Sequence, residues 1–108
     1  MPRAARRYDI FLPLQFNDGR PIPPDRFESV ERRLLGRFGG VTAQQLDFPL
    51  RGAWQHGSEL YLDQVIVMTV LDFRSRGSGR FIGGLKRDLL RDFDQLEILI
   101  TEQSLRVH

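Results

Sequence analysis

The sequence predicts an α+β domain of βαββαβ order, and three observations carry that reading. Several segments alternate apolar and polar residues at period two, two segments between them carry apolar residues at helical spacing, and glycine- or proline-rich breaks mark the joints. With 108 residues, 41% of them hydrophobic and eight of them Phe, the chain can build one core and not two.

Tyr8, Ile10, Leu12, Leu14 and Phe16 alternate with Asp9, Phe11, Pro13 and Gln15, which predicts a first strand from Tyr8. Pro13 has no N–H to donate, so regular pairing should end there, before the turn-rich Asn17-Asp18-Gly19-Arg20-Pro21. Residues 1–7 read as a basic N-terminal tail and 8–108 as a single domain. Pro23-Pro24-Asp25 opens a helix, with proline tolerated in the first turn and Asp25 and Glu28 near the positive end of the dipole. Phe27, Val30, Leu34, Leu35 and Phe38 form its apolar stripe, and Gly39-Gly40 ends it.

Val41 to Gly57 predicts a second strand interrupted by Pro49 and Gly52 and leading to a His56-Gly57-Ser58 turn. Val65, Val67, Thr69, Leu71 and Phe73 alternate with Ile66, Met68 and Val70 as a third strand, apolar on both sides. Arg74 to Arg80 reads as a polar loop. Ile82, Leu85, Leu89 and Phe93 then mark a second helix ending near Asp94, and Leu96, Ile98 and Ile100 a fourth strand that Leu105 and Val107 extend. Two βαβ units joined by a hairpin predict a ferredoxin-like sandwich, a four-stranded antiparallel sheet with two helices on one face. Phe11, Ile66, Met68, Val70 and Leu99 would then populate the bare face, and a second copy of the chain, forming a homodimer, would cover it.

Tyr8-Asp9-Ile10-Phe11-Leu12-Pro13-Leu14, Asn17-Asp18-Gly19, Phe38-Gly39-Gly40-Val41-Thr42, Gly52-Ala53-Trp54 and Phe93-Asp94-Gln95-Leu96-Glu97 carry a resemblance across nearly the whole domain. The chain resembles a family of small uncharacterised bacterial proteins with an aromatic first strand, an Asp-Gly turn, a Gly-x-Trp and a Phe-x-Gln ahead of the last strand. The resemblance implies no established activity.

Composition excludes several chemistries. Zero cysteines rule out disulfides, thiolate nucleophiles and Cys-held metals, and two histidines do not supply a His-rich metal site, so neither metal nor cofactor is expected. No run of eighteen apolar residues and no apolar leader behind the basic N-terminus predict a cytoplasmic protein without a membrane partner. The net charge is +2; setting aside Arg3, Arg6 and Arg7 leaves −1, so the rest is close to neutral and nucleic acid is not the expected partner. Lys86 is the single Lys among sixteen basic residues, a bias that fits genomic composition better than a phosphate-binding surface.

Each motif has a bland competitor. Gly77, Gly79 and Gly83 are one residue too widely spaced for the dinucleotide fingerprint, and Leu85 stands where a P-loop needs Lys, which favours a plain loop. The first strand loosely resembles an RNA-recognition motif, but strand three lacks the basic-Gly-aromatic run that would complete it. Asp88 and Asp92, one helical turn apart, fit surface pairs with Arg neighbours better than a catalytic pair. Trp54, His56, Glu59, Tyr61 and Asp63 concentrate aromatic and titratable groups around the second hairpin; Trp54, His56, Glu59 and Tyr61 form the expected ligand site, against the alternative of an exposed turn anchored by Trp54.

The sequence therefore favours a homodimeric, non-catalytic module that binds a small molecule or a protein. One alternative is a dimeric α+β-barrel enzyme acting on a small apolar substrate. The other is a weak nucleic-acid binder using Arg3, Arg6, Arg7, Arg74, Arg76 and Arg80.

Overall fold

The computed structural model describes residues 2–73 and 76–108. Seven elements follow in the order β1 (Arg3–Pro13), α1 (Pro24–Phe38), β2 (Thr42–Ala43), β3 (Leu50–His56), β4 (Glu59–Asp72), α2 (Ser78–Asp92) and β5 (Ile100–Val107). The α+β class holds, with an antiparallel sheet of five strands in place of the four expected. The segment read as one second strand is two, β2 and β3, both paired to β4. Between them Phe48 N–H donates to the Gln45 carbonyl in a turn ahead of Pro49.

Three boundaries differ from the sequence reading. The basic segment expected as a tail lies in β1 from Arg3 onward, because β5 is long enough to pair with it from Arg3↔Val107 to Ile10↔Ile100. The loop expected over residues 74–80 ends earlier, since α2 starts at Ser78. Its first turn tolerates Gly79, because the first N–H groups of a helix have no partner to lose. The last strand begins at Ile100 and not at Leu96; ahead of it, one hydrogen bond joins Phe11 N–H to the Leu99 carbonyl.

Register decides which residues are covered. Tyr8↔Val70, Ile10↔Met68 and Leu12↔Ile66 are direct cross-strand partners and therefore share a face. All six are buried, in one cluster with Phe27, Val30 and Leu34 of α1 and Leu85 and Leu89 of α2. Phe27 meets Phe93 edge-on at 5.3 Å between ring centroids, and Phe38 meets Phe81 likewise at 5.5 Å, joining the two helices above that face. Ile66, Met68 and Val70 are thus helix-side residues, correcting their expected place on the bare face. The opposite parity, Arg7, Asp9, Phe11 and Pro13 on β1 with Val65, Val67, Thr69 and Leu71 on β4, occupies that face.

Local chemistry fixes the connections. Gly39 ends α1 at φ 79°, its N–H returning to the Leu35 carbonyl, a left-handed cap that costs a glycine little. Beyond the helices, β3 and the first half of β4 project as a hairpin closed at Gly57, φ 63°. From Glu59 to Leu62 every residue is exposed, including Leu60 (65%) and Leu62 (55%). No helix among the described residues is long and apolar enough to cross a membrane.

Candidate functional site

The hairpin brings the four predicted residues to one face of two adjacent strands. Trp54 is the direct partner of Tyr61, and His56 of Glu59, so all four side chains project to the same side. Tyr61 O–H donates to Glu59 Oε2 at 2.6 Å, and that bond to a carboxylate raises the phenol above its ordinary value of 10.0. Trp54 and Tyr61 are each about half exposed (51%).

Of the four, Trp54 lines a cavity at the base of the hairpin. That cavity, about 340 Å³, lies where the hairpin leaves the sheet, between Trp54, Asp63 and Val65 on one side and Phe11, Gln95 and Glu97 on the other, with Leu99 beside them. His56, Glu59 and Tyr61 stand farther along the hairpin, outside its lining. The segment just before β5, expected as strand, supplies Gln95, Glu97 and Leu99 to the wall.

Asp63 organises the hairpin side of this cavity. Its Oδ2 accepts the indole N–H of Trp54 at 3.1 Å, which sets the orientation of the ring. Its Oδ1 is buried and has no hydrogen-bond partner among the described residues. That oxygen fills the space a side chain at position 52 would need: a Cβ on Gly52, the cross-strand partner of Asp63, would collide with it. Gly52 is therefore a steric requirement of the Asp63–Trp54 contact. An unpaired buried carboxylate oxygen costs on the order of 1–3 kcal/mol or more, a cost this arrangement carries to hold the indole in place.

The opposite wall is braced. Gln95 Nε2 donates to the carbonyls of Gln15 (3.1 Å) and Phe93 (2.9 Å), tying the segment to the end of β1 and of α2. Glu97 Oε1 lies 2.8 Å from Lys86 Nζ and accepts the Ile98 N–H at 2.9 Å. The lysine first and the backbone N–H second hold Glu97 below its ordinary value of 4.5. The cavity thus carries two carboxylates, one indole and several aliphatic walls, and no basic side chain lines it. With Glu97 paired to Lys86, the Asp63 carboxylate is the charge left to meet a ligand, which disfavours phosphates and favours a planar or apolar body with cationic or hydroxyl donors.

The sequence reading placed Asp63 in the same cluster as Trp54 without assigning it to the ligand site, and it missed Gln95 and Glu97 as neighbours. The Gly52-x-Trp54 spacing was the available signal, since a glycine two residues before an aromatic on one strand face marks room for a neighbour's side chain.

The expected nucleic-acid residues do not form one surface of free cations. Arg6 pairs with Glu102 at 3.4 Å, Arg7 with Asp9 at 3.1 Å, and Arg3 lies over the Phe73 ring at 3.9 Å, all within the sheet. Arg76 and Arg80 flank the start of α2, and Arg74 lies outside the described residues. No group of three or more His, Asp or Glu side chains suited to a metal ion occurs among the described residues.

No protein-family model matches the chain, and no curated protein does. Two solved structures share its fold. A phage SAM lyase in complex with S-methyl-5'-thioadenosine superposes with a TM-score of 0.60 at 18% identity, covering 95% of this chain and 88% of that one. A phage SAM lyase in the apo state gives a TM-score of 0.61 at 15% identity, covering 98% and 89%.

Proposed function

We propose that the chain binds a small molecule of the nucleoside thioether or sulfonium class in the cavity between Trp54, Asp63 and Glu97. The observation that carries the reading is the Gly52–Asp63–Trp54 arrangement, an oriented indole beside a carboxylate with one unpaired oxygen. A purine stacks on an indole, ribose hydroxyls donate to a carboxylate, and a sulfonium is attracted to both ring face and carboxylate. S-methyl-5'-thioadenosine, held by one of the structures of like fold, has the first two of these features. Binding without turnover is the primary reading; a lyase or related activity on S-adenosylmethionine is the second, favoured by the same likeness. We also read β2 and β3 as one interrupted edge strand of a ferredoxin-like sheet. A second copy of the chain against the sheet face that carries Phe11 and Val67 would bury the apolar residues left there.

Calorimetric titration tests the ligand. S-methyl-5'-thioadenosine should bind, adenosine monophosphate should bind at least about tenfold more weakly because its phosphate meets the Asp63 carboxylate, and Asp63→Ala should weaken the first. Equal affinity for the two compounds, or binding indifferent to Asp63, would remove the reading. Chromatographic loss of S-adenosylmethionine on incubation with the protein decides between binding and turnover, and light scattering at micromolar concentration decides whether a dimer forms.

A further inference from the structure

Phe11 separates two cavities on the sheet face away from the helices. Beyond it from Trp54 lies a second, of about 360 Å³, whose polar lining is Arg7, Asp9, Thr42, Gln44 and Thr69. Unlike the first, it carries a guanidinium beside its carboxylate. Asp9 Oδ1 accepts both the Thr69 hydroxyl at 2.6 Å and Arg7 Nε at 3.1 Å, so that oxygen is committed to its neighbours. The Asp9 side chain is 16% exposed and that of Arg7 43%, so solvent meets the guanidinium more than the acid. With Nε engaged, the two terminal Nη groups of Arg7 have no partner among the described residues. Gln44 spends its amide oxygen on the Val67 N–H at 2.8 Å, which leaves its NH₂ as a donor.

From these contacts we infer that Arg7, positioned by Asp9 and Thr69, forms a carboxylate subsite. A guanidinium fixed through Nε presents its two Nη donors as a fork that matches the two oxygens of a carboxylate, and holding it in place beforehand lowers the entropy cost of using it. The inference rests on the proposed small-molecule reading: a ligand seated at Trp54 and Asp63 extends across Phe11 and places its carboxylate at Arg7. From Val65, which lines the first cavity, to Thr69, which lines the second, is four residues along β4, about 13 Å at strand rise. The opposed charges of the two ends, Asp63 against Arg7, then fix the direction in which a molecule with a cationic and an anionic group lies.

The test compares two probes on the full chain. Arg7→Gln should weaken S-adenosylmethionine, which carries a carboxylate, by about tenfold or more. It should change S-methyl-5'-thioadenosine, which carries none, by less than about twofold, and Arg7→Lys should recover only part of the loss because it lacks the fork. An equal effect on both probes, or none on either, overturns the inference. L-Methionine followed by amide chemical shifts reads the subsite without the Trp54 cavity. Shifts at Thr42 and Thr69 that vanish in Arg7→Gln support it even if neither nucleoside binds, an outcome that would sink the nucleoside reading alone; shifts independent of Arg7 overturn it.

Discussion

The two halves of β4 place similar residues in opposite circumstances. From Ile66 to Asp72 the strand is paired on both sides, by β1 and over part of its length by β2, and its Ile66, Met68 and Val70 lie under the helices with at most 2% of their surface exposed. From Glu59 to Asp63 it is paired with β3 alone, and Leu60, Tyr61 and Leu62 keep half or more of their surface in contact with water. Apolar character in the first half stabilises the fold; in the second half it is available for binding. A continuous strand joins the two, and the cavity proposed to hold a ligand lies at their junction, where Asp63 and Val65 leave the covered region. A rigid, doubly paired strand thereby fixes the position of a site whose own surroundings are exposed.

Substitutions along β4 should separate the halves. Met68→Ala removes a buried side chain from the cluster and is expected to cost about 2–5 kcal/mol in urea denaturation. Gly52→Ala forces Asp63 off its position; since the displaced atom ends a short side chain, a cost of about 1–3 kcal/mol is expected. The near-ultraviolet circular dichroism of Trp54 should change with it, because the indole loses its acceptor. Leu62→Ala should lie within about 0.5 kcal/mol of the parent. A loss at Leu62 comparable to that at Met68 would mean that the hairpin is covered in solution and that the contrast between the halves is false.

The smallest expected effect is on the acid limb. Glu97 is held below 4.5 by Lys86 in the folded chain, so its contribution is complete above the unfolded value and fades as pH falls through the depressed one. Asp88, held below 3.8 by Arg33, behaves in the same sense at slightly lower pH. Lys86→Met should flatten the loss of stability below pH 4.5, being slightly less stable than the parent at pH 7 and converging with it as pH falls, as followed by denaturation at several pH values. At the other end of the scale, Glu59→Gln should lower the pH at which Tyr61 ionises, measured from phenolate absorbance.

Much of the fold was legible where pattern and local chemistry agreed. Tyr8-Ile10-Leu12 alternate at strand period and are buried together, and Phe27 to Phe38 with Gly39 behind them form the helix and cap that their spacing predicts. What the sequence did not reveal depends on partners distant in the chain. The face taken by Ile66, Met68 and Val70 is set by register against β1, and in a strand apolar on both sides period alone does not choose. Arg3 to Arg7 belong to the sheet because β5, a hundred residues later, pairs with them. Trp54 was legible as an aromatic beside glycines. Asp63 was legible as a member of the same cluster, though not as the partner of the indole; Gln95 and Glu97 were not, because the segment carrying them reaches the cavity only through tertiary contacts with Gln15, Phe93 and Lys86.

Trp54 is the single tryptophan of the chain, so its fluorescence reports on the proposed site and on nothing else. Titration with S-methyl-5'-thioadenosine should change that emission saturably, and Asp63→Asn, which keeps an acceptor for the indole but removes the charge, should bind more weakly while still responding at saturation. Binding detected by calorimetry with no change in Trp54 emission, or no binding at millimolar ligand by either measurement, would contradict the assignment of the cavity at Trp54 and Asp63.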